Sequence, residues 1–134
     1  MSGLCAVLLA AATAGCAGDD DAYCATWEDR AAQLQKSATA PEIEADTVRA
    51  TLTAFRRLQA DAPENMATSW QTLVTAWQAL DDALEAAGEE VGAAERSAIR
   101  AASEELRSTE VRQAAAGIEQ HAREACGVDL AGSA

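Results

Sequence analysis

The sequence predicts an all-α protein: a four-leg up-and-down helical bundle whose two ends are joined by one disulfide. Three observations lead to this prediction. Large apolar residues recur every three or four positions, no segment alternates apolar and polar residues as a strand does, and Cys24 and Cys126 stand at the two ends of the periodic region. A chain of 134 residues supports one domain, which we expect over residues 22–127, followed by a C-terminal tail at 128–134.

The chain begins with a candidate targeting segment. Residues 4–15 form an uncharged apolar run, which is shorter than the roughly 20 residues of a membrane-spanning helix and suits the core of a signal peptide. Residues 12–16, Ala-Thr-Ala-Gly-Cys, resemble the bacterial lipobox, in which small residues precede a Cys that becomes a lipidated N-terminus. We therefore expect residues 1–15 to be a signal peptide and Cys16 to carry lipid. The alternative is an ordinary secretory cleavage site in which Cys16 is incidental.

The four cysteines have different predicted fates. Cys5 leaves with the signal peptide, and Cys16 is taken by the lipid. Cys24 and Cys126 remain, and an exported protein meets an oxidising compartment, so we expect these two to form a disulfide. Residues 16–21 would then form a short lipidated tether at the outer face of the cell membrane.

The expected disulfide restricts the topology. Bonded Cα atoms lie about 4.4–6.8 Å apart, so the first helix must begin where the last helix ends. An up-and-down bundle meets this condition only with an even number of legs. We therefore expect four legs, with residues 89–126 forming one leg that is bent or broken near Ser108.

Apolar spacing and end signals place the helices along the chain. Gly88 and Gly127 follow the last apolar positions of two segments, as helix-ending glycines do, and Ser108 is placed to cap the final one. Residues 39–42 and 61–64 repeat the pattern Thr/Asp-Ala-Pro-Glu, which predicts a capped helix start at each place. The predicted helices cover roughly residues 22–38, 40–61, 62–87, 89–107 and 109–126.

The third predicted helix carries the clearest apolar seam. Asp81, Asp82 and Glu85 flank this seam, and we expect them to stay in solvent. The seam consists of Met66, Trp70, Leu73, Trp77, Leu80, Leu84 and Ala87, spaced alternately by four and three.

Few residues in the sequence suggest catalysis or ligand binding. The sequence predicts no catalytic residue, no metal site and no cofactor: the single His121, near Glu124, is expected to be an exposed surface residue, and no glycine-rich phosphate loop exists. A net charge of −12 argues against nucleic acid as a partner. The acidic surface is expected either to face a protein with a basic surface or to help keep the protein soluble. Trp70 and Trp77 are expected first as core anchors. A ligand held between helices is expected to meet four side chains, those of Trp70, Trp77, Met66 and Tyr23.

Three segments together resemble the small Ala-rich envelope lipoproteins of high-GC, actinobacterial-type bacteria. These are the lipobox at 12–16, the segment Cys-Ala-Thr-Trp at 24–27, and the closing segment 111–127 that runs into Cys-Gly. The resemblance implies location and fold and names no reaction. We expect a non-enzymatic, membrane-anchored envelope lipoprotein that acts through protein contacts. The alternative is a helical carrier for a small apolar or haem-like ligand.

Overall fold

The computed structural model describes residues 20–130, and this part of the chain is helical without any strand. A short 3-10 turn, Glu64–Met66, precedes the third helix. The predicted signal peptide, Cys16 and residues 131–134 lie outside the described residues. The α-helices are α1 (Asp20–Ala38), α2 (Ala45–Asp61), α3 (Ala67–Ala87), α4 (Ala93–Glu105) and α5 (Thr109–Cys126).

Helix α3 lies at the centre of the packing. It contacts α2, α4 and α5, and α1 contacts α2 and α5. This position follows from the predicted seam, which runs along the whole length of α3. Helices α4 and α5 follow one another along α3: Ala102 of α4 packs near Leu80, whereas Gly117 of α5 lies near Ser69.

A disulfide closes one end of the molecule. Cys24 in the first turns of α1 is bonded to Cys126 at the end of α5, with their Cα atoms 5.1 Å apart. At the same end, the Thr26 hydroxyl donates a hydrogen bond to the Asp61 carboxylate at the end of α2, at 2.7 Å. The predicted disulfide is therefore confirmed, and we call this region the disulfide end.

The opposite end carries two interhelical loops, residues 39–44 and 88–92, which we call the loop end. The start of α2 and the end of α3 meet there, because Val48 packs against Leu80 in a small buried cluster. Both loops therefore lie a helix length away from the disulfide. No helix among residues 20–130 is both long enough and apolar enough to cross a membrane.

Three predicted helix boundaries are confirmed. Helix α3 ends at Gly88, and α5 ends at Gly127, which adopts the left-handed conformation at φ 66°. The helix is interrupted between α4 and α5, and the Ser108 side chain accepts a hydrogen bond from the backbone N–H of Val111 at 3.2 Å. Ser108 therefore caps α5, as the sequence predicts.

The two predicted capping boxes are wrong. The Thr39 hydroxyl points back to α1 and donates to the carbonyls of Gln35 and Lys36, so α2 begins only at Ala45. Asp61 remains the last residue of α2 and accepts the hydrogen bond from Thr26 instead of capping the next helix. The Thr39 hydroxyl is thus bonded to the end of the preceding helix, whereas the Asp61 carboxylate has a partner on another helix.

The expected exposure of Asp81 is also wrong. Asp82 and Glu85 are exposed as predicted, but Asp81 is buried, with a relative exposure of 7%. Its carboxylate faces Arg49 of α2, whose guanidinium Nε lies 3.7 Å away. Arg49 therefore supplies a counter-charge to the buried carboxylate, while the Asp81 Oδ1 atom has no hydrogen-bond partner in the described part of the chain.

Candidate functional site

The six aromatic rings of the sequence form one connected cluster. The chain has three Trp, one Tyr, one Phe and one His, and they come from α1, α2, α3 and α5. The cluster therefore forms the centre of the core. The contacts, as distances between ring centroids, are His121–Tyr23 5.6 Å, Tyr23–Trp27 6.1 Å, Tyr23–Trp70 6.3 Å, Trp27–Trp70 5.9 Å, Phe55–Trp70 5.7 Å and Phe55–Trp77 5.5 Å.

A buried hydrogen bond orients the middle of this cluster. The indole N–H of Trp70 donates to the hydroxyl oxygen of Tyr23 at 3.0 Å, and both side chains are fully buried. Burial raises the pKa of the Tyr23 hydroxyl above its ordinary value of 10.0. The indole N–H groups of Trp27 and Trp70 oppose this rise, although only the Trp70 group has hydrogen-bond geometry. Tyr23 is therefore a neutral core residue at physiological pH.

The four predicted ligand-binding residues occupy two different environments. Tyr23, Met66 and Trp70 belong to the main core cluster, where neighbouring side chains cover them. Trp77 is only half-buried and lies at the outer edge of the aromatic cluster. Of the four, Trp77 is the side chain that a ligand can reach without displacing the core.

A cavity of about 170 Å³ lies beside Trp77. Its apolar lining includes Leu34 of α1, Phe55 of α2 and Leu130, which follows α5. Thr51 of α2 also lines it; this residue is 2% exposed, and its hydroxyl oxygen has no hydrogen-bond partner in the described part of the chain. The cavity therefore combines aromatic and aliphatic walls with the unpaired Thr51 hydroxyl, and the polar residues Gln35, Ser37 and Glu119 also line it.

Sequence reasoning did not identify Thr51 or Leu130 as lining residues. Thr51 lies three residues after Val48 and four before Phe55, so helical spacing places it on the same buried face of α2. That spacing was a usable signal for Thr51. Leu130 lies beyond the last helix, in the predicted tail, where periodicity gives no information.

His121 is half-buried rather than exposed, so that prediction is wrong. Its ring packs against Tyr23, and its Nδ1 atom is buried without a hydrogen-bond partner among residues 20–130. Glu124 accepts a hydrogen bond from Gln120, so it is engaged elsewhere on α5. Within the described residues, no group of His, Cys, Asp and Glu is arranged to hold a metal ion.

The surface is acidic, and the two exposed large apolar residues among residues 20–130 lie at the loop end. Of the acidic side chains in the described region, only that of Asp81 is buried. Ile43 is 61% exposed in the first loop, and Val91 is 40% exposed in the second. Each has two Glu residues beside it, Glu42 and Glu44 around Ile43 and Glu89 and Glu90 before Val91.

Comparison with protein families, curated proteins and solved structures finds no match to this chain.

Proposed function

We propose that this protein is a non-enzymatic envelope lipoprotein, exported and anchored to the outer face of the cell membrane through lipid at Cys16. The observation that carries the proposal is the Cys24–Cys126 disulfide. Disulfides persist in oxidising compartments and are rare in the cytosol. Together with the lipobox-like residues 12–16, the disulfide favours an exported protein that resembles the Ala-rich envelope lipoproteins.

The tether sets the orientation in this proposal. Helix α1 begins at Asp20, four residue steps after Cys16, and an extended chain covers about 3.5 Å per step. The disulfide end then sits within about 14 Å of the lipidated residue. Because α1 contains 19 residues and a helix rises about 1.5 Å per residue, the loop end projects roughly 28 Å further from the membrane.

The loop end is the proposed contact surface for a partner protein. Exposed apolar side chains that have an acidic rim suit a partner that presents an apolar patch surrounded by Lys and Arg. Ile43 and Val91 supply the apolar groups, and the four Glu residues beside them supply the rim. We further propose that α4 and α5 act as one broken leg of a four-leg bundle, which is supported by their successive contacts along α3.

Membrane anchoring is tested by comparing wild type with Cys16→Ala in the native envelope. We expect mass spectrometry of the wild-type protein to show a diacylated Cys16. The protein should also partition into detergent, because two acyl chains bind a membrane far more tightly than one. Cys16→Ala should give an intact fold that is no longer processed as a lipoprotein and carries no lipid at residue 16. A mature wild-type protein with unmodified Cys16 overturns the anchor.

Partner contact is tested by crosslinking in intact envelopes, using the lipidated protein as bait. Neutralising the loop-end rim with Glu42→Gln, Glu44→Gln, Glu89→Gln and Glu90→Gln should weaken capture and reduce its sensitivity to salt. A matched control removes the same charge from α1, α5 and the turn before α3. It consists of Asp21→Asn, Glu28→Gln, Glu64→Gln and Glu124→Gln.

The apolar part of the contact is tested separately with the double variant Ile43→Ser and Val91→Ser. We expect this variant to lose the crosslinked partner while keeping the wild-type melting temperature, because both side chains are exposed. Equal capture by the wild type and both loop-end variants contradicts the proposed contact surface.

A further inference from the structure

We infer that the cavity beside Trp77 binds a small neutral aromatic molecule that carries one hydroxyl group, with phenol as its simplest form. This inference goes beyond the proposed envelope function and does not depend on the lipid anchor. It narrows the carrier hypothesis to one ligand class and to a site centred on Thr51, Phe55 and Trp77.

The size of the cavity selects a single ring. A volume of about 170 Å³ is close to that of an engineered apolar cavity of about 150 Å³ that binds benzene. Cofactor and drug-sized ligands occupy sites of roughly 300–1,000 Å³. The space beside Trp77 therefore fits one substituted ring and is too small for haem.

The walls of the cavity select an aromatic molecule. Phe55 and Trp77 are in contact with each other, with ring centroids 5.5 Å apart and planes at 83°. A third ring placed beside such a pair gains edge and face contacts in addition to apolar burial. Leu34, Ala38 and Leu130 add aliphatic lining, and the polar residues Gln35 and Ser37 also border the space.

The hydroxyl of Thr51 selects a hydrogen-bonding ligand. A buried hydroxyl without a partner is unfavourable, and in a helix Thr commonly bonds to the carbonyl one turn earlier. Thr53 does so, donating to the Arg49 carbonyl at 2.9 Å, whereas the Thr51 oxygen has no partner in the described region. A phenolic hydroxyl can donate to this oxygen or accept from it.

The charge around the opening disfavours an anion. Glu119, an exposed residue, is part of the lining, and the protein as a whole carries a net charge of −12. A carboxylate such as benzoate would be repelled there. The preferred ligand is therefore the neutral phenol.

The test measures binding of phenol and of toluene, which replaces the hydroxyl with a methyl group of similar size. The variants are Thr51→Val, which removes the Thr51 hydroxyl at nearly constant volume, and Thr51→Ser, which retains it. Thr53→Val is the matched control on the exposed side of α2. Binding is followed by calorimetry and by the NMR shifts of the three indole N–H groups of the full chain.

We expect phenol to cause a saturable shift that is largest at Trp77. Thr51→Val should weaken phenol binding about 5-fold and leave toluene binding within about 2-fold of wild type, because only phenol loses a hydrogen bond. Thr51→Ser and Thr53→Val should keep the wild-type ratio of the two affinities. If Thr51→Val does not fold, Thr51→Ala gives the same comparison.

Either of two results overturns the inference. The first is the absence of a saturable Trp77 shift with both compounds. The second is a phenol-to-toluene affinity ratio that Thr51→Val leaves unchanged, which would make the cavity a non-selective apolar space. Neither result affects the proposed lipid anchor, because that proposal is tested by the mass and partitioning of the mature protein.

Discussion

The carboxylate of Asp81 lies 3.7 Å from the guanidinium Nε of Arg49, across the contact between α3 and α2. Asp81 is buried, whereas the Arg49 side chain is 53% exposed. The pair joins the start of α2 to the end of α3 beneath the loop end. Arg49 thus supplies a counter-charge to the buried Asp81 carboxylate.

Replacing Arg49 should destabilise the protein through Asp81. Arg49→Met leaves the carboxylate buried without its counter-charge, and we expect the free energy of unfolding to fall by about 1–2 kcal/mol. Arg56→Met is the control, because Arg56 is exposed on the same helix and forms no ion pair among residues 20–130. Denaturant unfolding of the two variants measures the difference. Equal stabilities would mean that the ion pair contributes nothing.

The Tyr23–Trp70 hydrogen bond is expected to contribute to the stability of the core. Tyr23→Phe removes the acceptor and leaves the indole N–H of Trp70 buried and unpaired, which should cost about 1–3 kcal/mol. Trp70→Phe should cost more because it also removes core volume. The double variant should lose less than the sum of the two, since the pair acts as a unit. Strict additivity in denaturant melts would contradict a coupling between these residues.

The raised pKa of Tyr23 predicts a loss of stability at alkaline pH. In the unfolded chain the phenol ionises near 10.0, whereas in the folded protein burial keeps it protonated to higher pH. Above pH 10.0 the unfolded state therefore loses its proton first, and stability falls as pH rises toward the folded pKa. The stability difference between wild type and Tyr23→Phe isolates this effect. Tyrosinate absorbance provides a direct check, because the chain contains one Tyr; ionisation at the ordinary pKa without unfolding would contradict the prediction.

Loss of the disulfide should lower stability strongly. Cys24 and Cys126 are 102 positions apart, and closing a loop of about 100 residues stabilises by up to ~4.7 kcal/mol in the chain-entropy model. A typical domain has roughly 5–15 kcal/mol in total. The double variant Cys24→Ala and Cys126→Ala should therefore melt well below wild type. Reduction of the wild type with dithiothreitol should reproduce the loss, and Cys5→Ala should leave the melting temperature of the mature protein unchanged.

Two glycines should respond in opposite directions to substitution by Ala. Gly88 has φ 55° and ψ −148°, a conformation that is almost restricted to glycine, so Gly88→Ala should cost about 1–3 kcal/mol. Gly117 lies inside α5, and a Cβ there would meet only Ser69 Oγ at 3.9 Å. Gly117→Ala should therefore stabilise by about 0.5–1 kcal/mol. Thermal melts of both variants test the pair; a loss in Gly117→Ala would point to crowding at the α3–α5 contact.

The helical fold is predictable from the sequence because its signals are local. The apolar seam of α3, the capping Ser108 and the terminal Gly88 and Gly127 each act within one or two helical turns. The disulfide is predictable for a different reason, since the predicted processing leaves only two cysteines.

The errors at Asp81 and Asp61 concern side chains whose partners lie on another helix. The sequence around Asp81 indicates a solvent-exposed acid, because nothing in α3 reveals that Arg49 approaches from α2. Asp61 resembles a helix cap, but Thr26 of α1 occupies its carboxylate. For the same reason the cavity could not be anticipated, because Thr51 and Leu130 come together only through the packing of α1, α2 and the segment after α5.

The covalent link between Cys24 and Cys126 also determines how the protein responds to mechanical force. Tension applied to the chain before Cys24 and after Cys126 passes through the sulfur–sulfur bond and bypasses the helices between them. Force applied at the loop end is not carried by the disulfide and acts directly on the contacts between helices. The same domain is therefore mechanically rigid when stretched from its termini and compliant when loaded through residues 39–44 or 88–92.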